Sequence, residues 1–124
     1  MKLMKEAIKA KQNSYSPYSN FRVGAALLTK DDEIYTGCNI ESVSYTPTCC
    51  AERTAIFKAV SEGKKDFKAI AINGDTDFCY PCGVCRQVMN EFCDKEFKIY
   101  VGNENEIKEY TLDDLLPYSF DMEK

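Results

Sequence analysis

Two short cysteine-bearing segments constrain the fold more than any other feature of the sequence: residues 50–53 (CAER) and residues 81–87 (PCGVCRQ). Apolar residues recur at helical spacing after each segment, so each is predicted to start a helix. Helix N-termini carry unpaired N–H groups and partial positive charge, which stabilise thiolates. A fold that brings both helix ends together places three sulfurs around one tetrahedral metal ion.

The cysteine inventory favours metal ligands over disulfides. The chain has seven cysteines and no histidine. The odd count, together with no secretion signal in residues 1–12, argues against a disulfide framework. Without histidine, acid–base chemistry must use a carboxylate, lysine, tyrosine or cysteine. Cys82 and Cys85 share one helix face, whereas Cys50 and Glu52 can act together only if Cys50 lies at a non-helical cap position.

Composition narrows the class of partner. The formal net charge is -4, which argues against a polynucleotide because binding phosphates requires clustered Lys and Arg. No apolar run approaches the roughly 20 residues that span a bilayer, so no membrane partner is predicted. The length of 124 residues predicts one domain over residues 1–124. Residues 1–12 alternate charged and apolar side chains and lack the continuous apolar core of a signal peptide, so the cytoplasm is the expected location.

Hydrophobic periodicity predicts a mixed α/β architecture. The predicted elements are a helix at 1–12, a hairpin of strands 21–28 and 34–40, a helix from near Thr48 to 62, a strand at 67–72, a helix at about 81–92, a strand at 97–101 and a short helix at 112–116. Helix crossovers make the later strands parallel. We therefore expect a three-layer α/β/α fold, with small residues at Gly24, Ala25 and Ala26 admitting a close neighbour.

The cysteine segments also predict a chemistry. Three protein ligands leave a fourth zinc position for water, whose pKa falls to roughly 7. Glu52 is the candidate to take and pass on its proton. Arg53, with Arg86 as a further candidate, could donate hydrogen bonds to the sulfurs. Two alternatives remain: Cys49 or Cys79 could close the site as a fourth ligand and make it structural.

Ordered blocks from about Ser14 to Phe120 resemble the cytidine deaminases, specifically the small homotetrameric class with three cysteine ligands. Beside the two cysteine segments, the blocks are YSPYS at 15–19, VGAAL at 23–27, GCNIE at 37–41 and LLP at 115–117. The resemblance implies a mixed five-stranded sheet between helical layers. It also implies one zinc ion per subunit, held by Cys50, Cys82 and Cys85, with Glu52 as the proton shuttle.

The same resemblance implies a set of substrate contacts. Asn39 and Glu41 would bind a ribose hydroxyl, Phe21 would line the pocket, and the backbone near Ala51 would touch the pyrimidine edge. From the subunit boundary, Tyr45 would approach a neighbour's site and Phe120 would pack on its cytosine ring. Each has a plainer interpretation: core aromatics, a turn asparagine and a surface tyrosine. Ser42 departs from the Asn that is common in the family.

The expected function is hydrolysis of cytidine and 2′-deoxycytidine to uridine and 2′-deoxyuridine with release of ammonia, in pyrimidine salvage. The resemblance further implies a homotetramer with shared active sites. Three other functions stay open at this point. One is deamination of a cytosine-containing antibiotic such as blasticidin S, the second is a zinc ion that only holds the fold, and the third is polynucleotide editing, which the acidic balance disfavours.

Overall fold

The computed structural model describes residues 1–122. Within this range the chain forms four helices and five strands. In chain order they are α1 (Lys2–Lys11), β1 (Val23–Thr29), β2 (Ile34–Cys38), α2 (Ala51–Ser61), β3 (Phe67–Gly74), α3 (Gly83–Phe92), β4 (Lys98–Gly102), β5 (Ile107–Thr111) and α4 (Leu112–Leu115). No helix in this range is long and apolar enough to cross a membrane.

The strands form one mixed sheet in the order β2-β1-β3-β4-β5. β1 runs antiparallel to both β2 and β3, β3 and β4 are parallel, and β4 and β5 are antiparallel. The α3 crossover joins the parallel pair, as its position between two strands predicts. The expected mixed five-stranded sheet is therefore confirmed.

The residue pattern by itself did not predict β5. Its five residues, IKEYT, are all exposed or half-buried, so they lack the apolar alternation that marks a strand. β5 lies at the edge of the sheet, where charged side chains such as Lys108 and Glu109 are compatible with pairing on one side only. The resemblance, which implied five strands, supplied what the pattern did not.

Helix α1 covers one face of the sheet. Leu3, Met4 and Ala7 pack there against alanines of β1 and β3. The approach is so close that a Cβ on Gly24 would lie 2.1 Å from the Ala7 carbonyl oxygen. Glycine at this position is thus required by the packing, and the predicted close neighbour of residues 24–26 is α1.

Helices α2 and α3 cover the opposite face and contribute to the larger apolar core. Its fully buried members include Ala55 and Ile56 of α2, Met89 of α3 and Ile72 of β3. α2 lies directly on β2, because a Cβ on Gly37 would meet the Ala55 backbone nitrogen at 2.5 Å. This contact fixes the N-terminal half of α2 against the sheet.

Candidate active site

The site is built where α2 and α3 begin. Cys50 is the N-cap of α2 and Cys82 is the N-cap of α3, and both have extended backbone. The φ and ψ of Cys50 are -68° and 154°. The condition set by the spacing of Cys50 and Glu52 is therefore met, since Cys50 lies outside the helical turn that carries Glu52.

Three sulfurs come together at these two helix ends. The Sγ atoms of Cys50, Cys82 and Cys85 all lie within 4.8 Å of one another. The Cys50 and Cys82 sulfurs are 3.8 Å apart. Two thiolates bound at 2.3 Å to one tetrahedral zinc ion would also be about 3.8 Å apart, so spacing and donor type fit zinc. Among residues 1–122, Cys49 and Cys79 lie outside this group.

The surroundings of the sulfurs favour negative charge on Cys50. The pKa of the Cys50 thiol is lowered to about 5, first by a hydrogen bond with Cys85 and then by the Arg53 guanidinium. An Arg53 terminal nitrogen donates to Cys50 Sγ at 3.3 Å. The Cys85 backbone N–H donates to Cys82 Sγ at 3.5 Å, the contact expected of an N-cap side chain.

Arg86 does not take the part suggested for it by the sequence. Its guanidinium donates to the Pro81 carbonyl oxygen at 2.8 Å and to the Leu115 carbonyl oxygen at 2.7 Å. Arg86 therefore joins the start of α3 to the end of α4, and the expectation that it donates to the sulfurs is wrong. Its place one residue after buried Cys85 turns the side chain away from the three sulfurs.

Glu52 is buried at the second helical position of α2. Only 3% of its surface is exposed, an unusual degree of burial for a carboxylate. Burial raises the pKa of Glu52 to about 7. The side chain lines a cavity of about 240 Å³ together with Cys50 and Cys82. A carboxyl group and two of the three clustered cysteines thus line one small cavity, and the third sulfur, that of Cys85, lies within 4.8 Å of their sulfurs.

Part of the predicted substrate-binding set lines the same cavity. Asn39, Glu41 and Ala51 are members of its wall. The Asn39 side-chain oxygen accepts from the Val23 backbone N–H at 2.9 Å and from Ser14 Oγ, and its amide nitrogen donates to the Phe21 carbonyl oxygen at 2.8 Å. Asn39 therefore has a structural role in holding the loop at residues 14–22, in addition to its place in the cavity wall.

The three predicted aromatic contacts lie outside the walls of this cavity in the single chain. Phe21 is half-buried, and its ring would lie 3.3 Å from a Cβ on Gly74. Tyr45 is 82% exposed, on a neighbouring surface cavity that it shares with Glu41. Phe120 is 71% exposed, and its carbonyl oxygen accepts from Gln87 at 2.6 Å. Both exposed rings are free to contact another molecule.

Sequence reasoning missed several residues of the cavity wall. Val23, Thr48 and Tyr80 also line it, beside Cys49 and Cys79, which the sequence had suggested as fourth ligands. The Tyr80 hydroxyl hydrogen-bonds the Tyr110 hydroxyl at 2.7 Å, which connects the segment before Cys82 to the edge strand β5. Tyr80 immediately precedes Pro81 and Cys82, and this adjacency was the signal that could have identified it.

Comparison with known proteins identifies the family. The profile described as "Cytidine and deoxycytidylate deaminase zinc-binding region" matches residues 1–101. The chain belongs to this family. It is 54% identical over 123 residues to a cytidine deaminase of Halalkalibacterium halodurans, covering 98% of this chain and 93% of that relative.

Solved structures of cytidine deaminases are similar to this chain as well. The crystal structure of cytidine deaminase from Burkholderia pseudomallei is 42% identical, with a TM-score of 0.91, covering 96% of this chain and 97% of that one. The enzyme from Mycobacterium tuberculosis is 38% identical, with a TM-score of 0.86, covering 98% and 96%. The resemblance found from the sequence blocks is confirmed, and the metal of this deaminase family region is zinc.

Proposed function

We propose that this chain catalyses the hydrolytic deamination of cytidine and 2′-deoxycytidine to uridine and 2′-deoxyuridine, with release of ammonia, in pyrimidine salvage. The observation that carries the proposal is one cavity with two kinds of group in or beside its wall. These are three sulfurs within 4.8 Å of one another at two helix N-termini, and the buried carboxyl group of Glu52. Family membership gives the substrate class.

Cys50, Cys82 and Cys85 would hold the zinc ion. When bound, zinc supplies Lewis acidity, which makes water nucleophilic at neutral pH. The helix N-termini and Arg53 offset the excess negative charge of three thiolates. Arg53 does so through its hydrogen bond to Cys50 Sγ at 3.3 Å.

Glu52 would move the protons. Its carboxylate takes a proton from the attacking water and delivers it to N3 of cytosine as the water oxygen bonds to C4. It then takes the second proton of that oxygen and passes it to the amino group, so that the C4–N4 bond breaks and ammonia leaves. A positioned carboxyl group contributes about 10²–10⁴-fold to such a reaction.

The remaining wall of the cavity would bind the nucleoside. Asn39 and Glu41 would hold a sugar hydroxyl, the backbone near Ala51 would contact the pyrimidine edge, and Phe21 would help line the pocket. Asn39, Glu41 and Ala51 line the cavity, which supports their part of the proposal. Phe21 lies in the loop at residues 14–22, where its carbonyl oxygen accepts from the Asn39 side chain at 2.8 Å.

We further propose a homotetramer with shared active sites, one catalytic domain over residues 1–124 in each subunit, and a cytoplasmic location. Tyr45 and Phe120 expose 82% and 71% of their surfaces, which supports a contact with another subunit. Phe120 would cover the cytosine ring in a neighbour's site, and Tyr45 would lie beside it. Size-exclusion chromatography with light scattering tests this, and a fully active monomer would contradict it.

Zinc content measured alongside ammonia release tests the central proposal. We expect about one zinc ion per chain and turnover of both cytidine and 2′-deoxycytidine. Parallel assays with blasticidin S and with single-stranded DNA separate the competing deaminases. Bound zinc with no turnover of any of the four would instead support a structural metal, and turnover of blasticidin S alone would replace the nucleoside with the antibiotic.

A further inference from the structure

Ser19 connects two of the residues proposed to bind the nucleoside. Its hydroxyl donates to Glu41 Oε2 and accepts from the Phe21 backbone N–H, at 3.1 Å for the latter. One small side chain therefore ties the carboxylate of Glu41 to the backbone of Phe21. These two residues lie far apart in sequence, and the loop between residues 14 and 22 brings them together.

The Glu41 carboxylate is held almost entirely by this loop. Its Oε1 atom accepts from the Tyr18 backbone N–H at 3.0 Å and from the Ser19 backbone N–H at 3.1 Å. The hydrogen bond from the Ser19 hydroxyl, followed by these two backbone hydrogen bonds, lowers the pKa of Glu41 and so favours its ionised form. Of these three donors within residues 1–122, the hydroxyl is the one a substitution can remove without changing the backbone.

Three donors leave the carboxylate with room for about one more, since it offers about four lone-pair positions. The position of that free lone pair depends on how the carboxylate is rotated. Two backbone N–H groups hold Oε1, and the Ser19 hydroxyl holds Oε2, so the rotation of the whole group is fixed. Glu41 lines the cavity, so a sugar hydroxyl bound there would meet an acceptor whose rotation is already fixed.

We propose that Ser19 is a positioning residue for the sugar of the nucleoside, acting through Glu41. The proposal rests on the proposed function, because it assumes that Glu41 accepts a hydrogen bond from a sugar hydroxyl. Ser19 does not touch the reacting atoms. Its loss therefore weakens binding of a hydroxyl-bearing sugar and leaves the chemical step intact.

Steady-state kinetics of Ser19→Ala test the proposal. We expect the KM for cytidine to rise roughly fivefold, which is a modest loss for a hydrogen bond to a charged group, while kcat stays within about twofold. Ser19→Thr, which restores the hydroxyl, returns KM to within about twofold of the unsubstituted chain. Ser61→Ala serves as the matched control, because within residues 1–122 the Ser61 hydroxyl donates only to the Lys58 carbonyl oxygen, on the exposed end of α2.

A substrate analogue separates positioning from general damage to the loop. Inhibition by 2′,3′-dideoxycytidine, which lacks the 2′- and 3′-hydroxyls of the sugar, is expected to be equally strong in Ser19→Ala and in the unsubstituted chain. An equal loss for cytidine and for the dideoxy analogue would overturn the proposal, as would an unchanged KM for cytidine. Should Ser19→Ala fail to fold, Ser19→Thr provides the same test. The proposal is overturned if Ser19→Thr raises the KM for cytidine and the inhibition constant of 2′,3′-dideoxycytidine by the same factor.

The proposed function and this inference fail differently. If the unsubstituted, zinc-loaded chain does not turn over cytidine, both the proposed function and the role of Ser19 are ruled out. If the unsubstituted chain turns over cytidine and Ser19→Ala has the same kinetics, only the positioning role of Ser19 is ruled out.

Discussion

Helices α2 and α3 both begin after a cysteine N-cap in extended backbone, with ψ of 154° at Cys50 and 169° at Cys82. They then diverge. The second helical position of α2 is Glu52, 3% exposed, whereas the second helical position of α3 is Val84, 57% exposed. The third position of α2 is Arg53, which donates to Cys50, and the third position of α3 is Cys85, which is fully buried.

The difference lies in how each helix is rolled against the sheet. In α2 the roll turns the second position inward, so the helix supplies one sulfur and a carboxyl group. In α3 the roll turns the second position toward solvent and the third position inward, so the helix supplies two sulfurs. The same cap geometry thus gives two chemical functions, depending on which helical position faces the cavity.

Replacing the inward-facing cysteine of α3 should have the largest effect on zinc content and activity. Cys85→Ala leaves two sulfurs, too few for a stable zinc site, so zinc content should fall from about one per chain to near zero and activity to background. Elemental analysis and ammonia release measure both. Cys93→Ala, just after α3 and outside the sulfur group, is the matched control and should keep its zinc. Retention of stoichiometric zinc in Cys85→Ala would contradict the conclusion that α3 supplies two zinc-binding sulfurs.

Removing the acidic function of α2 should have the next largest effect. Glu52→Gln keeps the shape of the side chain but cannot carry a proton, so kcat for cytidine should fall by about 10²–10⁴-fold while zinc content stays the same. Glu62→Gln, at the exposed C-cap of the same helix, is the control and should be fully active. Unchanged turnover in Glu52→Gln would mean that α2 contributes only its sulfur.

Disturbing the roll of α2 tests the structural basis of the comparison. In Gly37→Ala the new Cβ would lie 2.5 Å from the Ala55 nitrogen and 2.6 Å from the Ala51 carbonyl oxygen, so α2 must shift. We expect a loss of about 1–3 kcal/mol in the free energy of unfolding, measured in urea, and lower activity. Gly83→Ala, at the first position of α3, meets nothing within 4 Å and should be neutral or gain up to about 1 kcal/mol. Equal behaviour of the two variants would contradict this account.

The smallest expected effect concerns the segment that leads to α3. The Asp75 carboxylate accepts hydrogen bonds from the guanidinium and the backbone N–H of Arg22, and one of its oxygens lies 3.3 Å from Lys11 Nζ. These contacts, the Arg22 guanidinium first, lower the pKa of Asp75 to about 2. Because the pKa is lower in the folded chain, the stabilisation is full above about pH 4 and is lost as the pH falls toward about 2. Asp75→Asn should therefore cost about 1 kcal/mol at pH 7, a value limited by solvent screening.

Urea unfolding at pH 7 and at pH 3 measures this effect. The gap between Asp75→Asn and the unsubstituted chain should narrow at the lower pH. Asp77→Asn, in the same segment, is the control, since no hydrogen bond or ion pair of its side chain is found within residues 1–122. A gap that is constant with pH would mean that Asp75 stabilises the segment by shape and not by charge.

Much of the fold was predictable because the core elements carry periodic apolar residues. The helix at residues 51–61 and the strand at 67–74 follow from that periodicity, and their ends differ from prediction by a few residues at the caps. β5 was not predictable in this way, because an edge strand buries little. Arg86 was misassigned because sequence adjacency to Cys85 does not fix the direction of a side chain on a helix.

The sequence by itself determined the donor set and the places where it is presented. Three cysteines and one glutamate stand at two helix starts, and the absence of histidine excludes imidazole both as a metal ligand and as a general base. Only the tertiary structure decided which atoms face one another: the 3.8 Å between two sulfurs, the burial of Glu52, and the link from Ser19 to Glu41. The reason is physical. Local sequence sets where a helix begins, but packing on the sheet sets how that helix is rolled.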